Sequence, residues 1–261
     1  MNEARALVRR PGPGLANGLV THINRSSIDL DLAIEQWEAY GAALRASGWT
    51  TVEVDPADDR PDAVFVEDTV VVYHDLAVVT RPGALARRRE VDALPEVLDR
   101  EGYRVVHIEA PGTLEGGDVL KHGGTVWVGV GDRSNVEGVA QLAAHLGPLN
   151  AEVVSVPLTK VLHLKSAVTA LPDGMIIGYP GLVDDPSAFP RFRPVPEESG
   201  AHVVLLGGSR LLMAASAPQT AREFSLEGYQ VVTVDISEFE KLEGCVTCLS
   251  VRLRRCAAPA R

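Results

Sequence analysis

Apolar residues recur along this chain in two alternating rhythms, one of helical spacing and one of short runs closed by turn residues. Leu30, Ile34, Trp37 and Leu44 lie at near-helical spacing within Asp29 to Ser47, and Gly48 supplies a stop signal. The same spacing predicts helices over Ala84 to Arg100 and Asn135 to Leu146, with Pro95 marking a kink or restart in the first. A shorter helix is predicted from Thr220 to Leu226, after Pro218. The runs between the helices have strand length and pair across turn residues. Val64 to Tyr73 and Leu76 to Arg81 flank His74-Asp75, and Val119 to Lys121 and Thr125 to Val130 flank His122-Gly-Gly124. Ala167 to Leu171 and Met175 to Tyr179 flank Pro172-Asp-Gly174, and Val203 to Leu206 and Arg210 to Ala214 flank Gly207-Gly-Ser209.

One phrase returns where helix gives way to strand. Ala43 to Gly48 precedes Trp49-Thr-Thr-Val-Glu-Val-Asp55, and Leu98 to Gly102 precedes Tyr103-Arg-Val-Val-His-Ile-Glu109. Phe224 to Gly228 precedes Tyr229-Gln-Val-Val-Thr-Val-Asp235, and His145-Leu-Gly147 more loosely precedes Ala151 to Val156. A unit that cannot bury its own face implies copies packed side by side. About five units of strand, hairpin and returning helix fit the length. The fold expected is a closed, five-bladed α/β propeller with pseudo-fivefold symmetry, in preference to an open doubly wound sheet.

Composition narrows the function classes. The 261 residues carry the repeat nearly throughout, so a single domain over 1–261 is expected, ordered to about Arg254 with a basic tail after it. A net charge of −10 argues against nucleic acid, which rewards a basic face, and gives weak support to a cationic substrate. The apolar runs are too short to span a membrane, and Met1-Asn-Glu-Ala-Arg5 lacks an apolar signal core. Three cysteines without a framework fit a reducing compartment, so the expected location is cytoplasmic. Either a monomer or a homodimer is compatible with this surface.

Several residues fall outside the demands of a core. Asp62, Glu67 and Asp68 surround Val64-Phe-Val66, and Glu115 and Asp118 bracket Gly116-Gly117 one repeat later. Acids beside such apolar runs need partners or a ligand. If they converge, they form a cage suited to a planar cation with several donors, for which a guanidinium is the best fit. His163 stands in an apolar strand start followed by Lys165 and Ser166, polar residues that point to a cavity. Cys245 and Cys248 form a C-x-x-C. An extended segment would send the two sulfurs to opposite faces, and neither a helix N-terminus nor a second ligand pair is evident. The remaining histidines lack ligand spacing, so neither a metal nor another cofactor is expected. Thiol, imidazole and acids together fit attack of a thiolate on the trigonal guanidinium carbon, with His163 serving the leaving amine and then water.

Val64-Phe-Val-Glu-Asp68, Thr80-Arg-Pro-Gly83, Leu114-Glu-Gly-Gly-Asp118, His163-Leu-Lys165 and Thr247-Cys248, in that order, resemble the dimethylargininases. These belong to the guanidine-modifying superfamily also called penteins, and the likeness runs from about Ala6 to Leu253. The resemblance implies a five-bladed α/β propeller that hydrolyses small methylated arginines to citrulline and a methylamine, through a covalent Cys-thiouronium intermediate and without a metal. It implies Cys248 as nucleophile, His163 as general acid and base, and Glu115 as the group that orients His163 or contacts the guanidinium. Asp68, with Glu67, Asp62 and Asp118 nearby, would hold the guanidinium and amino ends of the substrate. Arg87 and Arg133 would hold its carboxylate, Leu19 would cover the pocket, and Leu242 and Glu243 would offer backbone contacts to its amino group. Thr69 stands where proline can follow the Glu-Asp pair, and Cys245 is an additional thiol.

Three alternatives stand beside this reading. Deiminases of free arginine or agmatine share the fold, and resemble it with Arg-Asp at the position of Glu67-Asp68 and an acid at that of Lys165. An amidinotransferase would pass the amidino group to an amine. A non-catalytic propeller would be a binding module in which Cys248, His163 and Glu115 are dispensable.

Overall fold

The structure is a computed structural model that describes residues 4–253. The fraying expected beyond Arg254 falls outside the described residues. Strand β1 (Arg5–Val8) runs parallel to β2 (Thr50–Glu53), and they are joined through helix α1 (Leu30–Ala46). Three sheets repeat a single plan, in which the first strand is antiparallel to the second and the second is parallel to the third. They are β3 (Val70–Tyr73), β4 (Leu76–Val79) and β5 (Arg104–His107), then β6 (Val119–His122), β7 (Thr125–Val130) and β8 (Glu152–Pro157), then β9 (Val168–Ala170), β10 (Ile176–Gly178) and β11 (Phe192–Pro194). The next sheet, β12 (Val204–Gly207), β13 (Arg210–Ala214) and β14 (Gln230–Val234), follows the same plan. Strand β15 (Val251–Leu253) then pairs antiparallel with β1, so the described chain closes a ring of five three-stranded sheets.

Helices α2 (Leu94–Arg100), α3 (Val136–Leu146) and α5 (Pro218–Leu226), like α1, cross from the middle strand of a sheet to its third strand. The β10–β11 connection uses a single 3-10 turn, Pro186–Ala188, instead. Asp29 caps α1 by accepting a hydrogen bond from Leu32 N, and Asn135 caps α3 by accepting one from Gly138 N; each such cap contributes about 1 kcal/mol. Pro95 lies in the first turn of α2 and marks a restart. The residues before it, Leu85–Val91, form a 3-10 helix rather than the front of one long helix. The recurring phrase has a backbone cause, since Gly48, Gly102 and Gly228 all turn from helix to strand with φ of +85°, +73° and +95°. In the looser copy Gly147 keeps helical φ, and Asn150 makes the left-handed turn at φ +60°.

The apolar interior divides into five clusters, one at each junction between neighbouring sheets. The innermost strands, β3, β6, β9, β12 and β15, line a central cavity of about 310 Å³. The first hairpin begins later than its apolar run predicts. Val66–Thr69 is a 3-10 turn in which Thr69 Oγ1 donates to Val66 O at 2.6 Å and Thr80 Oγ1 donates to Asp68 O at 2.7 Å. These hydroxyls divert the backbone from the ladder until Val70. Among the described residues no helix is long and apolar enough to cross a membrane.

Candidate active site

The turns just before the innermost strands carry the chemistry. Asp68 sits in the turn before β3, Glu115 begins the 3-10 turn Gly116–Asp118 before β6, and His163 precedes α4 (Leu164–Ala167) before β9. Cys248 lies in a turn before β15, closed by a hydrogen bond from Cys248 N to Cys245 O at 3.0 Å. His163 therefore stands at the start of a short helix, not of a strand.

Leu19, Asp62, Asp68, Arg87, Arg133, His163, Leu242, Glu243 and Cys248 all border one pocket. His163 Nε2 is 2.7 Å from Glu115 Oε2, and its Nδ1 is 3.9 Å from Asp68 Oδ1. Glu115 is fully buried, and further donors hold it: Gly83 N at 3.1 Å, Arg133 at 3.3 Å and Arg87 at 3.5 Å. Asp68 accepts from Gly117 N at 2.9 Å and from Arg87 at 2.8 Å. Gly117 has to lack a side chain, because a Cβ there would come within 2.6 Å of Asp68 Oδ1 and 2.7 Å of the His163 ring.

Burial alone would lower the proton affinity of His163. Asp68, the hydrogen bond to Glu115, and Asp118 overcome it and raise the imidazole to about 9. Burial likewise works against an ionised Glu115, but His163, Arg87 and Arg133 hold it at about 2. Burial raises Asp118 to about 6 although it accepts from Ser134 Oγ at 2.6 Å and Leu164 N at 3.0 Å. Asp118 is absent from the pocket wall and anchors the loops that present Glu115 and His163.

The C-x-x-C segment departs from the extended form expected for it. The turn brings Cys245 Sγ to 3.2 Å from Cys248 Sγ, and Cys245 N donates to Cys248 Sγ at 3.4 Å. The side-chain hydrogen bond between the two lowers Cys245 to about 5 and raises Cys248, so the pair favours a single shared negative charge.

Glu67 does not join the cage with its neighbour Asp68. The 3-10 turn points it to the central cavity, where Lys165 and Arg252 reach its Oε1 at 2.6 and 2.7 Å. Lys165, where deiminases resemble this chain with an acid, faces that cavity rather than the pocket. Arg87 is committed to Glu90 and Asp68, each at 2.8 Å. Asp62 accepts from Leu19 N at 3.0 Å, and Glu243 accepts from Thr21 N and His22 N at 2.7 Å, so two carboxylates fasten the loop above the pocket.

Sequence reasoning missed Ser134 and Glu90. Ser134 joins Glu115 N to Asp118, and its one signal was its place beside Arg133; Glu90 lies one helical turn from Arg87. The spacing also concealed that Asp68, Glu115 and His163 offer ligand atoms within 4.8 Å of one another. Arg87 and Arg133 already lie against these carboxylates, which leaves the set suited to ion pairs rather than to a dication.

A five-sheet ring that gathers thiol, imidazole and carboxylates at its axis defines the guanidine-modifying α/β propellers, and the arginine deiminase family model matches residues 35–205. A dimethylarginine dimethylaminohydrolase of Streptomyces coelicolor is 64% identical over 254 residues, 97% of this chain and 98% of that protein. Two solved dimethylarginine dimethylaminohydrolases share the fold. The adduct of a His-to-Gly variant with S-methyl-L-thiocitrulline has TM-score 0.90 and 33% identity, covering 97% of this chain and 100% of that one. A Cys-to-Ser variant from Pseudomonas aeruginosa complexed with citrulline has TM-score 0.89 and 34% identity, with the same coverage. This chain belongs to the dimethylarginine dimethylaminohydrolase family.

Proposed function

We propose that this protein, as a single cytoplasmic catalytic domain, hydrolyses asymmetric dimethylarginine and monomethylarginine to citrulline and a methylamine. The observation that carries the reading is the 2.7 Å contact of His163 with Glu115 in the pocket that also presents Cys248. Cys248 attacks the guanidinium carbon as a thiolate. With Nε2 held by Glu115, Nδ1 of the protonated His163 delivers a proton to the departing methylamine, which leaves a Cys-thiouronium. The neutral imidazole then accepts a proton from water as it attacks, and collapse releases citrulline and the thiolate. No metal or cofactor enters these steps.

Asp68 faces the guanidinium, and Asp62, Leu242 and Glu243 face the amino end. For the substrate carboxylate, Arg133 is the freer cation, since Arg87 must be won from Glu90 and Asp68.

The test is citrulline release from asymmetric dimethylarginine, with monomethylarginine, arginine and agmatine in parallel and Cys248→Ser as control. Release from the methylated substrates, lost in the variant, is expected. Turnover of arginine or agmatine alone would replace the reading with a deiminase, and no turnover of any guanidine would leave a binding module.

A further inference from the structure

Cys245 forms no bond to substrate in the proposed hydrolysis, yet its sulfur lies in direct contact with that of the nucleophile. Sγ to Sγ is 3.2 Å, and both thiols are free and buried. A turn closed by the 3.0 Å Cys248 N to Cys245 O bond keeps its end Cα atoms within about 7 Å, inside the span a disulfide bridges. Bonding therefore requires an approach of about an ångström, to about 2.05 Å, within reach of side-chain rotation. Thr247 Oγ1 at 3.3 Å from Cys245 Sγ adds a polar neighbour that suits a thiolate. Cys248 borders the substrate pocket, so a small oxidant has a route to it.

We propose that Cys245 and Cys248 form a redox modification site, in which Cys248 reacts with hydrogen peroxide and Cys245 resolves the product as an intramolecular disulfide. Cys248 thiolate attacks one peroxide oxygen, the O–O bond breaks, and the departing oxygen leaves as hydroxide that is protonated to water. Sulfur is oxidised to a sulfenic acid. Cys245 thiolate then attacks the sulfenyl sulfur, the S–O bond breaks, and hydroxide leaves and is protonated to a second water. In sum, two thiols and one peroxide give one disulfide and two waters. A dithiol reductant restores both thiols by exchange. The bond ties up the nucleophile and spares it from the irreversible sulfinic and sulfonic states. The effect on hydrolysis rests on the proposed role of Cys248, whereas formation of the bond does not.

The experiment compares Cys256→Ser with Cys256→Ser/Cys245→Ala, which removes the third thiol from both. Each protein is treated with hydrogen peroxide, then assayed and weighed intact under denaturing conditions before and after dithiothreitol. The parent is expected to lose two hydrogen masses together with its activity and to regain both. The Cys245→Ala protein is expected to gain two or three oxygens and to recover at least ~10-fold less of its starting activity. Equal recovery by both proteins, or no loss of two hydrogens in the parent, would overturn the proposal. Loss of two hydrogens with activity intact would keep the disulfide and remove Cys248 from the role of nucleophile.

Discussion

Glu115 grips His163 through Nε2 at 2.7 Å, which leaves Nδ1 as the nitrogen turned to Asp68 and the pocket. In the proposed mechanism the fully buried carboxylate thus selects which end of the imidazole exchanges protons.

Burial opposes the charge on His163, but Asp68, Glu115 and Asp118 raise it from 6.5 to about 9. The folded protein therefore holds a proton that the unfolded chain releases. The stability this adds is complete below about pH 6.5 and disappears as pH rises through about 9. The depressed Glu115 is the other half of the same pair and is counted with it. We expect kcat/KM to fall on an alkaline limb near 9, and the melting temperature to fall across the same range. In Glu115→Gln the limb should move toward the ordinary histidine range and kcat should drop by ~10²-fold. An unmoved limb would show that Glu115 does not set the proton affinity of His163.

Asp118 titrates in the same sense, but at lower pH. Its carboxyl is raised from 3.8 to about 6 by burial, so what it adds to stability is present below 3.8 and lost as pH rises through 6. Asp118→Asn keeps an oxygen for Leu164 N, and its stability in urea at neutral pH should remain within ~1 kcal/mol of the parent. Asp118→Ala orphans Leu164 N and the Ser134 hydroxyl and should cost ~1–3 kcal/mol. Equal losses in the two variants would refute this account.

The pocket as it stands, about 20 Å³, has room for roughly one water. An arginine-sized ligand must therefore move the loop that Glu243 fastens at Thr21 and His22. Glu243→Ala should speed hydrogen exchange at those two amides. It should also change KM by several-fold, more than it changes kcat. Amide exchange as slow as in the parent would mean the loop is held elsewhere.

Glu67 and Lys165 form a buried pair 2.6 Å apart in the central cavity. Glu67→Gln should cost ~3–5 kcal/mol, because it leaves the buried Lys165 without its carboxylate, whereas Lys165→Met should cost less, because Arg252 still reaches Glu67 at 2.7 Å. The double variant should cost less than the sum of the two. Additive losses in a double-mutant cycle would show that the pair is not coupled.

The sequence made the ring legible because its signals are local. Asp29 and Asn135 cap their helices within a few residues, and Gly48, Gly102 and Gly228 mark three equivalent exits by the one backbone conformation they share. The inner geometry depended on turns that side chains create. Thr69 and Thr80 bend the chain so that Glu67 and Asp68, adjacent in sequence, serve different cavities. The turn at Cys245–Cys248 brings together two sulfurs that an extended reading separates. Ser134 and Glu90 act on groups that only the folded ring sets beside them.

Pairing of β15 with β1 also orders events in time. Cys248 precedes β15 by only a few residues, and β1 waits at the other end of the described chain for its last partner. Contacts of such long sequence separation form late, after local hairpins and helices have collapsed. His163 and Glu115 belong to sheets built from contacts nearer in sequence, whereas the turn that holds Cys248 leads into this long-range pair. The pairing that closes the ring of sheets is thus also the one that fixes the proposed nucleophile beside His163.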